Sequence, residues 1–149
     1  MDKKYTTNSY KQTQKLGKDF ANKILKSSPR NRAVVLGLRG NLGGGKTTFL
    51  QGFAKGLGVK EKILSPTFVI MKRFTLKNKF KNFYHIDCYR LKNYEDVLDL
   101  GIEEIIKNPE NIVAIEWPER IKKALPKEMT TINFKFIDKN KREIIFIDK

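Results

Sequence analysis

Apolar and polar positions follow two rhythms along this chain. Leu16, Phe20 and Ile24 fall four apart, with Ala21 and Leu25 beside them, which is the stripe of an amphipathic helix. Thr7, Asn8 and Ser9 stand before it as capping residues, and Ser27-Ser28-Pro29 stops it. Residues 33–38 then form a short unbroken apolar run bounded by turn residues, as expected of a strand buried on both faces. A glycine-rich turn over 40–45 leads into a helix from residue 46 to about 57, with Phe49, Leu50, Phe53, Ala54 and Leu57 on one side.

Further on, residues 67–76 and 79–87 read as strands around a Lys77-Asn78-Lys79 turn, an antiparallel hairpin. Residues 94–107 are helical in pattern but interrupted by Gly101. Ile112-Val113-Ala114-Ile115 is a second short buried strand ending in Glu116-Trp117-Pro118, with a short helix up to Leu125 after it. Alternation over 131–138 and 142–148 predicts a last hairpin around Lys139-Asn140-Lys141. No repeat, low-complexity tract or long linker divides the 149 residues, so a single domain over 1–149 is expected. Early strand–helix alternation followed by hairpins predicts an α/β fold whose mostly parallel central sheet carries antiparallel additions.

Composition narrows the class. With 40% hydrophobic and 32% charged residues the chain can build a core, which excludes wholesale disorder. No apolar run approaches the ~20 residues of a membrane-spanning helix, and the N-terminal lysines precede no apolar segment of a secretory signal. A lone cysteine, Cys88, can form no internal disulfide and fits a reducing compartment; a cytoplasmic location is expected. The net charge of +15 comes from 24 lysines scattered over the chain and only seven arginines. Base-reading faces favour the arginine fork, so the charge fits a solvated surface better than a dedicated nucleic-acid face, although it favours loose association with polyanions.

Candidate chemistry begins at Gly40-Asn41-Leu42-Gly43-Gly44-Gly45-Lys46-Thr47, a full match to G-x-x-x-x-G-K-[ST] in its required place between a buried strand and a helix. Glycines allow successive backbone N–H groups to converge on a phosphate, and the helix N-terminus adds partial positive charge. Lys46 supplies a mobile cation for β- and γ-phosphates, and the Thr47 hydroxyl can ligate Mg²⁺. Such a site needs a carboxylate at a neighbouring strand end. Both Glu116 and Asp87 end suitable strands, and pattern alone does not rank them firmly. Ser65-Pro66-Thr67 is either a hydroxyl loop sensing the γ-phosphate or an ordinary proline turn. Trp117 is either a stacking residue or a filler of the core edge, while His85, in an alternating strand, suits a packed or hydrogen-bonded role better than ligation. Neither Asn78-Lys79 nor Asn140-Lys141 continues as Asn-Lys-x-Asp, which disfavours guanine specificity and leaves ATP.

Taken together, the phosphate loop through Thr48, Ser65-Pro66-Thr67, Tyr84-His85-Ile86-Asp87-Cys88-Tyr89-Arg90, Leu100-Gly101-Ile102-Glu103-Glu104 and Ile115-Glu116-Trp117-Pro118-Glu119 resemble, in order, the TsaE family. The resemblance covers roughly residues 16–120. It implies a three-layer P-loop NTPase-like fold and weak, partner-dependent, Mg²⁺-dependent ATP hydrolysis. It also implies a part in forming threonylcarbamoyladenosine at position 37 of tRNA, through the complex of TsaD and TsaB, with tRNA met only indirectly. By the same resemblance Gly43, Gly44, Gly45, Lys46, Thr47 and Thr48 would hold ATP. Thr47 and Glu116 would hold Mg²⁺, and Lys46, Thr67, Asp87, Glu116 and Trp117 would serve turnover. Gly44 stands where the family commonly has alanine. From the residues themselves, a small-molecule P-loop kinase and a basic nucleic-acid-binding module are the competing expectations.

Overall fold

The structure is a computed structural model that describes residues 2–41, 43–64, 70–93 and 95–148. Its frame is a seven-stranded sheet in the order β1-β7-β6-β2-β5-β4-β3, built from β1 (Lys3–Thr7), β2 (Val34–Arg39), β3 (Met71–Thr75), β4 (Asn82–Asp87), β5 (Asn111–Glu116), β6 (Thr130–Phe136) and β7 (Arg142–Asp148). Strands β6, β2, β5 and β4 run parallel. The flanking pairs β1–β7, β6–β7 and β3–β4 are antiparallel, so the expected parallel centre with antiparallel additions is what the sheet shows.

Alternation on the inner strands decides the layers. Val34, Leu36 and Leu38 of β2, with Ile112 and Ala114 of β5, join Ala21 and Ile24 of helix α1 (Tyr10–Leu25) and Phe49, Leu50 and Phe53 of helix α2 (Lys46–Gly56). Their neighbours Val35, Val113 and Ile115 pack on the opposite face. There they meet Ile102 and Ile106 of α4 (Ile102–Lys107) and Ile121 of a 3-10 segment, Pro118–Ala124. The result is a helix–sheet–helix sandwich, with β2 and β5 buried on both sides as their unbroken apolar runs require.

Three boundaries depart from expectation. β1 was not legible as a strand, because only Thr7 of its five residues is buried; it is a lysine-bearing edge held by pairing Lys3–Thr7 with 142–146 of β7. The strand expected from residue 79 begins at Asn82, since Asn78 Oδ1 accepts the Phe80 amide and Lys81 O accepts that of Leu76, keeping residues 78–81 in the turn. Of the strand expected over 67–76, residues 71–75 form β3, and 67–69 lie outside the described residues. Elsewhere Ser9 caps α1 by accepting the Gln12 amide at 3.2 Å. Gly101, at φ +71, divides α3 (Glu95–Leu98) from α4 as anticipated.

Helices α1 and α2 approach through glycine. A Cβ on Gly52 would stand 1.8 Å from the Gln14 carbonyl oxygen, and one on Gly17 would stand 2.2 Å from that of Phe49. Both obstacles are backbone, so no side-chain rotation relieves them. Gly52→Ala gains about 1 kcal/mol of helix propensity yet must force the two helices apart. We expect a net loss of about 2 kcal/mol of unfolding free energy, within the range for overpacked cores, in urea titrations where the exposed neighbour change Lys55→Ala is close to neutral.

Candidate functional site

Every candidate residue that the structure describes lies at the C-terminal rim of the parallel strands. Strand β2 ends at Arg39 and the chain turns through the glycine loop into α2. Gly43 and Gly45 hold φ of +82° and +103°, in the region that L side chains resist. Gly40 lies against β6, where a Cβ would come within 2.4 Å of the Phe134 carbonyl oxygen. Gly44 is more forgiving: a methyl there would meet Asn41 O at 3.1 Å, so an alanine is nearly accommodated. Helix α2 has no side-chain N-cap and no acidic residue in its first turn. Its first amides therefore present partial positive charge that no side chain of its own neutralises. Thr47 and Thr48 sit half-buried in that turn.

Lys46 is buried, and its Nζ donates to the Gly40 carbonyl oxygen at 2.6 Å while standing 4.4 Å from the centroid of the Trp117 ring. Burial holds its pKa below the usual lysine value, opposed by the negative charges of Glu116, Asp87 and Glu119. The order of those charges matches the sheet. Glu116 ends β5 beside Leu38 of β2, the strand that feeds the loop, and Asp87 ends β4 one strand further out, in register with Glu116. Glu116 is the carboxylate nearer the lysine in effect as well as in topology.

Glu116 is only 4% exposed. Its Oε2 lies 2.7 Å from Nε2 of the equally buried His85, and an ionised carboxylate in that position accepts from an Nε2–H imidazole. His85 thus proves to be a hydrogen-bonded histidine, as its strand position suggested, but its partner was not legible: only the pairing of β4 with β5 places the two together. Asp87 is half-buried and accepts the Tyr89 amide on Oδ1 at 2.9 Å. Burial raises its pKa, assisted by the charge of Glu116 and opposed by the Tyr89 hydrogen bond, His85 and Lys46.

Trp117 follows Glu116 at φ 59, ψ 51, among the described residues the only non-glycine with positive φ. That backbone costs of order 1–3 kcal/mol and turns the chain at the strand end so that the indole returns over Lys46. Its amide donates to Leu38 O at 3.3 Å. Tyr89 packs against the indole at 5.1 Å between centroids, and the Arg120 guanidinium stands 5.9 Å from the indole and 5.7 Å from the Tyr89 ring. Tyr89 and Arg120 carried no signal in the pattern beyond lying in or next to the site's blocks. Ser65, Pro66 and Thr67, and Leu42 of the loop, lie outside the described residues.

The chemistry on offer is that of hard anions and hard cations. The first turn of α2 and one ammonium belong to this rim, and the hard-donor side chains of the candidate set are oxygens: the Thr47 hydroxyl and the carboxylates of Glu116 and Asp87. Such a donor set fits Mg²⁺ that shares its shell with phosphate, a metal seldom held by an all-protein cage. Cys88 does not add to it. The residue is fully buried and its thiol is pushed up to about 12, so it remains protonated at neutral pH. Because Asp87 protonates more readily in the folded chain than in the unfolded one, its ionisation costs stability as pH rises through and above the carboxylate range. Asp87→Asn keeps the acceptor for Tyr89 and removes that cost. Its melting temperature should exceed that of the wild type at pH 7, and the difference should shrink at about pH 3.5, where Asp87 is largely protonated in both states.

Comparisons with known proteins agree with this arrangement. Residues 7–144 match the family model described as threonylcarbamoyl adenosine biosynthesis protein TsaE, a span that runs through β6 into the start of β7, beyond the blocks legible by motif. The chain is 37% identical over 139 residues to the tRNA threonylcarbamoyladenosine biosynthesis protein TsaE of Rickettsia typhi, covering 93% of this chain and 90% of that one. With the protein of the same name from Bacillus subtilis it shares 39% identity over 112 residues, 75% and 68% of the two chains. The crystal structure of Bacillus subtilis YdiB superposes with a TM-score of 0.75 at 31% identity, over 99% of this chain and 86% of that one. With its blocks in order, its fold matched over nearly its whole length and its sequence matched to the family over residues 7–144, the chain belongs to the TsaE family.

Proposed function

We propose that the chain binds Mg²⁺·ATP at the 40–47 loop, hydrolyses it slowly, and spends that hydrolysis on the TsaD–TsaB complex during formation of threonylcarbamoyladenosine in tRNA. One observation carries the reading: loop amides, the Lys46 ammonium and two strand-end carboxylates meet at one rim of the sheet. Names of the relatives support the pathway, and the resemblance noted above supplies the partners and the cytoplasmic setting. No described helix is long and apolar enough to cross a membrane.

In this reading the amides of Gly43–Thr48 and Lys46 bind the phosphates, and Thr47 and Glu116 hold the metal. When bound there, Mg²⁺ would supply positive charge to offset the negative charge of the phosphoryl oxygens. Lys46, held between Gly40 O and the Trp117 ring, exchanges a backbone acceptor for phosphate oxygens without leaving its pocket. Asp87, beside Glu116 and more basic than an ordinary aspartate, is placed to accept a proton from a water held by the site. Trp117 closes the pocket over the lysine, and Thr67 is assigned the γ-phosphate on resemblance alone.

Hydrolysis measured with and without purified TsaD–TsaB tests the proposal. Turnover should rise when the pair is added. Lys46→Ala should abolish nucleotide binding, and Glu116→Ala should lose Mg²⁺-dependent turnover by about 10²-fold, the order that follows removal of one preorganised electrostatic contact, while retaining nucleotide affinity. Phosphate delivered to an organic acceptor, with no response to the pair, would make the protein a kinase instead. Undiminished turnover in Glu116→Ala would transfer the metal role to Asp87.

A further inference from the structure

We infer that His85 is a positioning residue that fixes the Glu116 carboxylate for metal binding, an assignment that rests on the metal-nucleotide reading above. The two side chains come from adjacent parallel strands in phase: His85 alternates with Phe83 toward α2, and Glu116 alternates with Ala114 toward the same side. Both are almost wholly buried, and the 2.7 Å contact engages a single oxygen, Oε2. Among the described residues no hydrogen bond is made to Oε1, so one oxygen is anchored inside the sheet and the other is left for the rim.

A glutamate has three side-chain torsions, and a ligand that must search them binds a hard cation poorly. Anchoring Oε2 to a ring that is itself packed within the sheet reduces that search. His85 is 2% exposed and sits below the rim, so it is not placed to touch nucleotide or metal; it acts through Glu116. This division between a ligating carboxylate and the group that orients it is general to metal sites, where loss of the outer partner costs about 10–100-fold in metal affinity.

The test uses the full chain holding ADP, with Mn²⁺ as the probe ion titrated by electron paramagnetic resonance. His85→Phe retains a packed ring and lacks the donor, whereas the amide of His85→Gln can take the place of ring Nε2. We expect His85→Phe to weaken Mn²⁺ by about 10–100-fold and to leave metal-free ADP affinity unchanged, and His85→Gln to recover most of the loss. If the phenylalanine variant does not fold, His85→Asn, whose shorter side chain withdraws the donor from Glu116, should show the same loss. Mn²⁺ held as tightly by the donor-free variant as by the wild type overturns the inference, and so does a glutamine variant no better than it. If Glu116→Ala loses Mn²⁺ while His85→Phe keeps it, the positioning role alone falls. A wild-type ADP complex that takes up no Mn²⁺ removes the metal reading and this inference with it.

Discussion

Parallel pairing of β2, β5 and β4 is the constraint on which the rest of the site depends. It brings three chain segments distant in sequence to one edge, where Leu38 stands beside Glu116 and Glu116 beside Asp87. A slip of one residue would turn every side chain of a strand to the other face. Glu116 would then point toward the layer of Ile102 and Ile121 and away from Lys46. Burial of β2 and β5 on both sides makes such a slip costly, so the apolar core that stabilises the fold also fixes the geometry of the charges.

Those charges are held at a cost to the resting protein. Lys46 is lowered and Asp87 raised by the same cause, burial at the rim, and each shift is moderated by the other's charge. Glu116 avoids isolation through His85, and Lys46 through a carbonyl and an aromatic face. Trp117 adds a left-handed backbone to the local strain. Strain and desolvation concentrated in one place, with the rest of the sheet regular, is the distribution expected where function is served at the expense of stability.

Much of this was legible beforehand for identifiable reasons. Unbroken runs at 33–38 and 112–115 could hardly be anything but buried strands, and a glycine-rich turn between strand and helix has few uses. Glu116 and Asp87 were legible as strand ends, but which of them stands beside the strand that feeds the loop is a matter of strand order, which no local pattern contains. His85 was legible as a strand residue and its partner was not, for the same reason. β1 escaped notice because an edge strand held by backbone pairing needs no apolar alternation, and the close approach of α1 and α2 at Gly17 and Gly52 is a tertiary fact.

The chain contains a single tryptophan, and its ring lies 4.4 Å from the ammonium assigned to phosphate. Trp117 emission during a titration with Mg²⁺·ATP therefore reports directly on whether loop, lysine and strand-end rim form one binding site. A saturable change in emission that follows calorimetric binding and is lost in Lys46→Ala is the predicted result. Emission that stays constant while calorimetry registers saturation would contradict the account, because ATP would then be bound away from Lys46 and the rim.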